Sequence, residues 1–230
     1  MKKEIRKIVL CPQIKAVIFD MDGTLLDTIE DIAGASNRVL AARGLAPFSI
    51  DETKLLVGDG IEEMVRRAFA SRGVNVLSDA DIAAIVQDYR REYQACWRAN
   101  SRPYPGVPGL LSELARRGVK TAVLSNKAHM FTALMAAELF AGFRFDAVRG
   151  ATPGVPLKPD PAPALALAAE LGVEPGACAF VGDTSVDMNT ARAAGMFPVG
   201  ALWGFRSADE LRAAGAKLLI ERPADLLQLL

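Results

Sequence analysis

A recurring unit restricts the fold more than any other feature of the sequence: a short apolar run that ends abruptly in a polar group. Lys15-Ala16-Val17-Ile18-Phe19-Asp20 has an unbroken apolar centre and closes on a carboxylate. A strand covered on both faces reads as such a run, without the polar alternation of a half-exposed strand. Similar runs occupy 119–124, 177–181 and, more weakly, 197–202. Each of these three follows a helical pattern that stops at glycine, at Arg117-Gly118, Leu171-Gly172 and Ala194-Gly195. Strands and helices alternating in this way predict an α/β chain built on a parallel sheet with covering helices.

Between residues 27 and 103 the character changes to 3.6-residue periodicity with no buried strand, which predicts an all-helical insertion. Its segments are 28–43, 50–56, 60–72 and 78–99, with Ser49 and Glu52 spaced as a capping box and Gly44 and Gly73 as stops. The return runs through Arg102-Pro103-Tyr104-Pro105-Gly106-Val107-Pro108-Gly109, whose prolines forbid a continuing helix and suit a hinge. The expected division is an N-terminal extension at 1–14, a core of 15–27 and 101–230, and a helical cap at 28–100.

Composition narrows the classes of function. Lysine plus arginine and aspartate plus glutamate both number 27, so no net field favours nucleic acid or an anionic membrane. Any anion must be captured locally. Apolar residues make up 51%, enough for a sizeable core, yet no run approaches the roughly 20 residues of a spanning helix. Cys11, Cys96 and Cys178 form no CxxC pair and are assigned no function; Cys178 reads as a core filler. The expectation is a cytoplasmic protein.

The polar groups at the strand ends carry the chemistry. Asp20-Met21-Asp22-Gly23-Thr24 follows the first strand, Ser125-Asn126 the second, and Gly182-Asp183-Thr184-Ser185-Val186-Asp187 the third. The carboxyl edge of an open parallel sheet is where ligands bind. Two unit charges of like sign about 4 Å apart repel by about 4 kcal/mol at an effective dielectric near 20, so the crowded aspartates call for a cation. Lys158, in Leu157-Lys158-Pro159-Asp160-Pro161, is placed to screen Asp20 and meet phosphate oxygens.

In this order, Asp20-x-Asp22-Gly23-Thr24, Ser125, Lys158 and Gly182-Asp183-x-x-x-Asp187 resemble the four motifs of the haloacid dehalogenase superfamily. The resemblance covers residue 15 onward and implies a Rossmann-like core with Mg²⁺ as cofactor. It makes Asp20 the nucleophile and Asp22 the acid that protonates the leaving oxygen, then the base for water. It gives the metal to Asp20, the main-chain carbonyl of Asp22, and Asp183, with Asp187 acting through water or by orientation. Ser125 and Lys158 then grip the phosphoryl oxygens, supported by Asn126 and Thr24.

The insertion directly after the first motif is similar to the cap of the phosphoglycolate phosphatase group, as are Leu56-Val57-Gly58-Asp59-Gly60 and Ser125-Asn126-Lys127. The resemblance implies hydrolysis of a small phosphorylated metabolite such as 2-phosphoglycolate, with Gly58, Asp59 and Gly60 as a specificity loop. Arg66, Arg67 and His129 read as surface residues. A mutase resembling β-phosphoglucomutase and a non-catalytic binding module on the same fold are the alternatives. Oligomeric state is not legible.

Overall fold

The computed structural model describes residues 13–230. Cys11 and the expected extension, apart from Gln13 and Ile14, lie outside the described residues. Ile14, assigned to that extension, is buried in the main core.

Four buried residues form the central strand β1 (Ala16–Phe19), covered on both faces as its composition requires. The chain then makes the short strand β2 (Leu26–Asp27) and four helices: α1 (Ile29–Ala41), α2 (Ile50–Leu56), α3 (Ile61–Ser71) and α4 (Asp79–Cys96). It returns through β3 (Arg102–Pro103) and α5 (Val107–Arg116), then alternates β4 (Lys120–Ala128), α6 (His129–Leu139), β5 (Ala147–Ala151) and α7 (Ala162–Leu171). The last part comprises β6 (Cys178–Gly182), α8 (Ser185–Ala193), β7 (Phe197–Ala201), α9 (Ala208–Ala213) and β8 (Leu218–Ile220).

Six strands make one sheet in the order β5-β4-β1-β6-β7-β8, parallel throughout. The chain builds outward from β1 on one side through β4 and β5, then crosses to the other side through β6, β7 and β8. That reversal places a crevice at the carboxyl ends of β1, β4 and β6, the expected location of a ligand. Gly118, Gly172 and Gly195, the predicted helix stops, take φ of 71°, 67° and 69°.

The edge strands β5 and β8 have no counterpart in the sequence reading. In β5 only Ala147 is fully buried, and Arg149 and Gly150 break the apolar run. An edge strand needs no continuous run, because one side has no neighbour to pack against.

The helical insertion spans its expected segments, and Ser49 with Glu52 forms the predicted capping box; Ser78 and Asp81 form a second. The proline-rich return differs from a bare hinge: β2 and β3 pair antiparallel, with Leu26 opposite Pro103 and Asp27 opposite Arg102. Such a two-strand stem leaves proline's missing donor on an edge, where it is tolerated. Buried Asp31 ties the stem, accepting hydrogen bonds from Asn100 N at 3.0 Å, Ser101 N at 2.8 Å and Ser101 Oγ at 2.7 Å. Asp31→Ala should therefore cost about 2–3 kcal/mol, since it strands buried donors that a carboxylate now satisfies. Denaturant midpoints would check this, and a loss below about 0.5 kcal/mol would show the tie to be dispensable.

Candidate active site

The residues after β1 begin the site. Asp20 N donates to the carbonyl of Val181 at 2.9 Å, continuing the sheet ladder for one more residue and fixing where the Asp20 side chain emerges. Its Oδ1 accepts from Met21 N at 2.7 Å and lies 2.9 Å from Lys158 Nζ. Oδ2 takes no hydrogen bond among the described residues. One oxygen is thus held and the other left available.

Asp22 sits beside it with a separate set of partners. Thr28 Oγ1 donates to its Oδ1 at 2.7 Å, and Lys127 Nζ lies 2.9 Å from both oxygens. The Lys127 ammonium also sits 4.5 Å from the centre of the Tyr93 ring, a cation–π contact with the helical layer. No site role is assigned to Lys127 from sequence. Its signal is its place two residues beyond Ser125 on the same strand, which projects both in one direction.

Ser125 and Asn126 lie within β4 rather than after it, because the strand runs on to Ala128 past an irregularity in its register with β5. Ser125 Oγ accepts from Lys127 N at 3.2 Å and retains its own proton to donate. The Asn126 amide instead braces the loop beyond: its Oδ1 accepts from Lys158 N at 2.8 Å, and its Nδ2 donates to the carbonyls of Lys158 at 2.9 Å and Gly58 at 3.0 Å.

The third strand end supplies Asp183 and, through α8, Asp187. Thr24 Oγ1 and Phe205 N donate to Asp183 at 2.7 and 2.8 Å. Asp187 caps its own helix, accepting from Thr184 N and Oγ1 at 3.0 and 2.8 Å, while its other oxygen lies 2.7 Å from Lys158 Nζ. Gly23 and Gly204 leave room for Asp183, since a Cβ at either would come within 2.3 Å of that carboxylate side chain. Asn126 and Thr24, expected near phosphate, thus spend their donors on positioning the lysine loop and Asp183.

Charge is unbalanced here. Asp20, Asp183 and Asp187 each bring an oxygen within 4.8 Å of the others, and all three are buried. With Asp22 they make four carboxylates against the ammonium groups of Lys127 and Lys158. Burial pushes the Asp20 carboxyl up to about 7, Lys158 pulling it the other way. Burial, then the neighbouring Asp187 and Asp20, raise Asp183 well above the usual range. Burial lowers the Lys158 pKa, but Asp187 and Asp20 outweigh it and raise the group overall. A hard divalent cation fits this all-oxygen cluster, in which the carboxylates outnumber the ammonium groups.

The helical layer closes over the crevice and, together with the strand ends, lines a cleft. The Arg206 guanidinium fastens the layer by donating to the carbonyls of Lys54, Leu55 and Val57 at the end of α2. Gly58 and Gly60 line the cleft, but Asp59 pairs with Arg67 at 2.6 Å and is not part of its wall. Arg66 pairs with Asp79. His129 is exposed and accepts from Gly150 N at 3.2 Å. Cys178 is buried in β6 as core.

Comparison with known proteins places this geometry. The model of the haloacid dehalogenase-like hydrolases matches residues 14–195, and the chain belongs to that family. Within it the chain is a phosphatase resembling the phosphoglycolate phosphatase group. It is 38% identical to the phosphoglycolate phosphatase of Rhodospirillum rubrum, over 92% of this chain and 89% of the relative. It is 31% identical to the N-acetylmuramic acid 6-phosphate phosphatase of Pseudomonas aeruginosa, over 95% of both chains. A solved structure from Lactobacillus delbrueckii subsp. bulgaricus, proposed there to be a phosphoglycolate phosphatase, superposes with a TM-score of 0.87. That match has 30% identity and covers 93% of this chain and 97% of the other. Hydrolases of this family generally use a divalent metal. No helix among the described residues is long and apolar enough to cross a membrane.

Proposed function

We propose that the protein is a cytoplasmic, Mg²⁺-dependent phosphomonoesterase that hydrolyses a small organic phosphate, 2-phosphoglycolate foremost, through an aspartyl-phosphate on Asp20. The observation that carries this reading is the Asp20 carboxylate: one oxygen is clamped by Met21 N–H and Lys158, and the other takes no hydrogen bond among the described residues. Residues 28–100 act as a cap over a core of 15–27 and 101–230.

Asp20 Oδ2 attacks phosphorus in line with the ester oxygen, and the P–O bond to the leaving group breaks as Asp22 gives that oxygen a proton. Water then attacks the aspartyl-phosphate, losing a proton to Asp22, and phosphate leaves with Asp20 restored. Ser125 donates to a phosphoryl oxygen and Lys158 offsets the charge of the group in transfer. Thr28 and Lys127 hold Asp22 towards the ester, while Asn126, Thr24 and Asp187 hold Lys158 and Asp183 in place. Mg²⁺ would be held by Asp20, Asp183 and the Asp22 carbonyl, and would supply further neutralisation of phosphoryl charge.

A second reading has a specific support. Ile61, Met64, Tyr89, Tyr93 and Phe131 wall the cleft, apolar surfaces that would suit a bulkier alcohol such as N-acetylmuramic acid. Phosphate release from 2-phosphoglycolate, N-acetylmuramic acid 6-phosphate, sugar phosphates, pyrophosphate and nucleoside monophosphates tests both. Interconversion of two isomeric sugar phosphates that requires a sugar-bisphosphate primer, with no phosphate released, would favour the mutase alternative.

The Gly58–Gly60 turn offers a separate test of the specificity loop. Both glycines take positive φ, and a Cβ on Gly60 would lie 2.9 Å from Leu157 Cδ1. Gly60→Val should lower kcat/KM for the preferred phosphate tenfold or more, about 1.4 kcal/mol, and affect an aryl phosphate much less. Equal losses on both would assign the turn to general stability.

A further inference from the structure

The four-helix layer places one charged side chain on the cleft wall, Arg90 of α4. The other seven arginines between residues 28 and 100 each lie within 4.0 Å of a carboxylate oxygen. Arg90 has no such partner and no side-chain hydrogen bond among the described residues. Its immediate neighbour Arg91 turns the other way, to Asp88. The same helix therefore satisfies one arginine internally and presents the next to the cleft.

No carboxylate oxygen among the described residues lies within 4.0 Å of the Arg90 guanidinium, and the carboxylates that line the cleft are Asp20 and Asp22. Asp22, a carboxylate on the same cleft, is already paired with Lys127. Tyr93 lies three residues along α4 and lines the same wall, with the Lys127 ammonium over its ring, so Arg90 and Lys127 flank one aromatic surface. The phosphoryl end of a substrate is fixed by the sheet at Asp20 and Ser125.

We propose that Arg90 is a specificity determinant of this site and binds a carboxylate on the leaving group, so that the preferred substrates are phosphate esters of hydroxy acids. The inference rests on the phosphomonoesterase reading of the cleft. A guanidinium fork matches a carboxylate with two parallel hydrogen bonds, and no neutral alcohol replaces that pairing. Glycolic and N-acetylmuramic acids both carry the required group although they differ greatly in size.

The test uses two matched pairs with Mg²⁺ present: 2-phosphoglycolate against 2-hydroxyethyl phosphate, and N-acetylmuramic acid 6-phosphate against N-acetylglucosamine 6-phosphate. The wild-type protein should prefer the acid in at least one pair by about tenfold or more in kcat/KM. Arg90→Ala should remove that preference, lowering the acid ester and leaving the neutral ester within about twofold, whereas Arg90→Lys should keep part of it. Arg90 is exposed and mid-helix, so alanine is compatible with folding. The inference is overturned if neither pair shows an acid preference, if Arg90→Ala preserves it, or if both esters of a pair lose activity equally. Hydrolysis of none of the four esters by the wild-type protein would instead bring down the phosphomonoesterase reading itself.

Discussion

Asp20→Asn is expected to abolish phosphate release, with a fall in kcat on the order of 10³-fold or more, while leaving the protein folded. The substitution keeps the shape of the side chain and removes the oxygen that would bond to phosphorus. It also removes one charge from a cluster in which Asp20, Asp183 and Asp187 crowd within 4.8 Å, so the metal-free variant should melt no lower than the metal-free wild type. Turnover by a homogeneous preparation at a tenth of wild-type rate would remove Asp20 from the nucleophile's role. A melting temperature well below wild type would show that the carboxylate is structural, through its contact with Lys158.

Removal of divalent metal should have a comparable effect on turnover and a distinctive one on stability. Exhaustive chelation is expected to stop phosphate release, and Mg²⁺ to restore it. A ligand at a hundredfold excess over its Kd stabilises by about 2.7 kcal/mol when the unfolded chain does not bind it. The pH dependence of the metal-free protein supplies an independent reading. Burial raises the Asp20 carboxyl from 3.8 to about 7, so between those values the folded state holds more protons than the unfolded chain. Metal-free stability should therefore fall as pH rises through that interval, and Mg²⁺ should reduce the slope by making the charged cluster favourable. Melting scans in chelator at pH 5.5 and 7.5 check the sign. Full activity after chelation, or metal-free stability that climbs with pH, would contradict the cation reading of the cluster.

Much of the core was legible residue by residue. Ala16 to Phe19 could be recognised as a central strand because a two-sided burial environment leaves its mark on every consecutive position. Glycine stops and serine caps were equally readable, since each meets a local backbone need within a few residues. Edge strands were not, because Arg149 and Gly150 can occupy β5 where the packing on one side is absent. The β2–β3 stem was hidden for a different reason: its two strands are two residues long and their partners lie more than 70 positions apart.

The same division runs through the site. Asp20, Asp22, Ser125, Lys158, Asp183 and Asp187 could be named in advance because each stands at the end of a recognisable strand or in an ordered motif, and parallel strands bring such ends to one edge. What their side chains do to one another depends on contacts between distant segments. Lys127 is devoted to Asp22 across 105 residues, and Asn126 is bound to the backbone of Lys158 and Gly58. The cleft wall shows the contrast most plainly: Arg66, Arg67, Arg90 and Arg91 look alike as paired arginines on helices, and local pattern offers no means to separate them. Three find acidic partners on the helical layer, and Arg90 faces the cleft. The buried parallel strands and the polar groups at their carboxyl ends follow from local pattern. The partner of each charge, and therefore the specificity of the cleft, is set by which helix faces meet when the layer packs down, a non-local balance of apolar burial and charge pairing that no short stretch of sequence records.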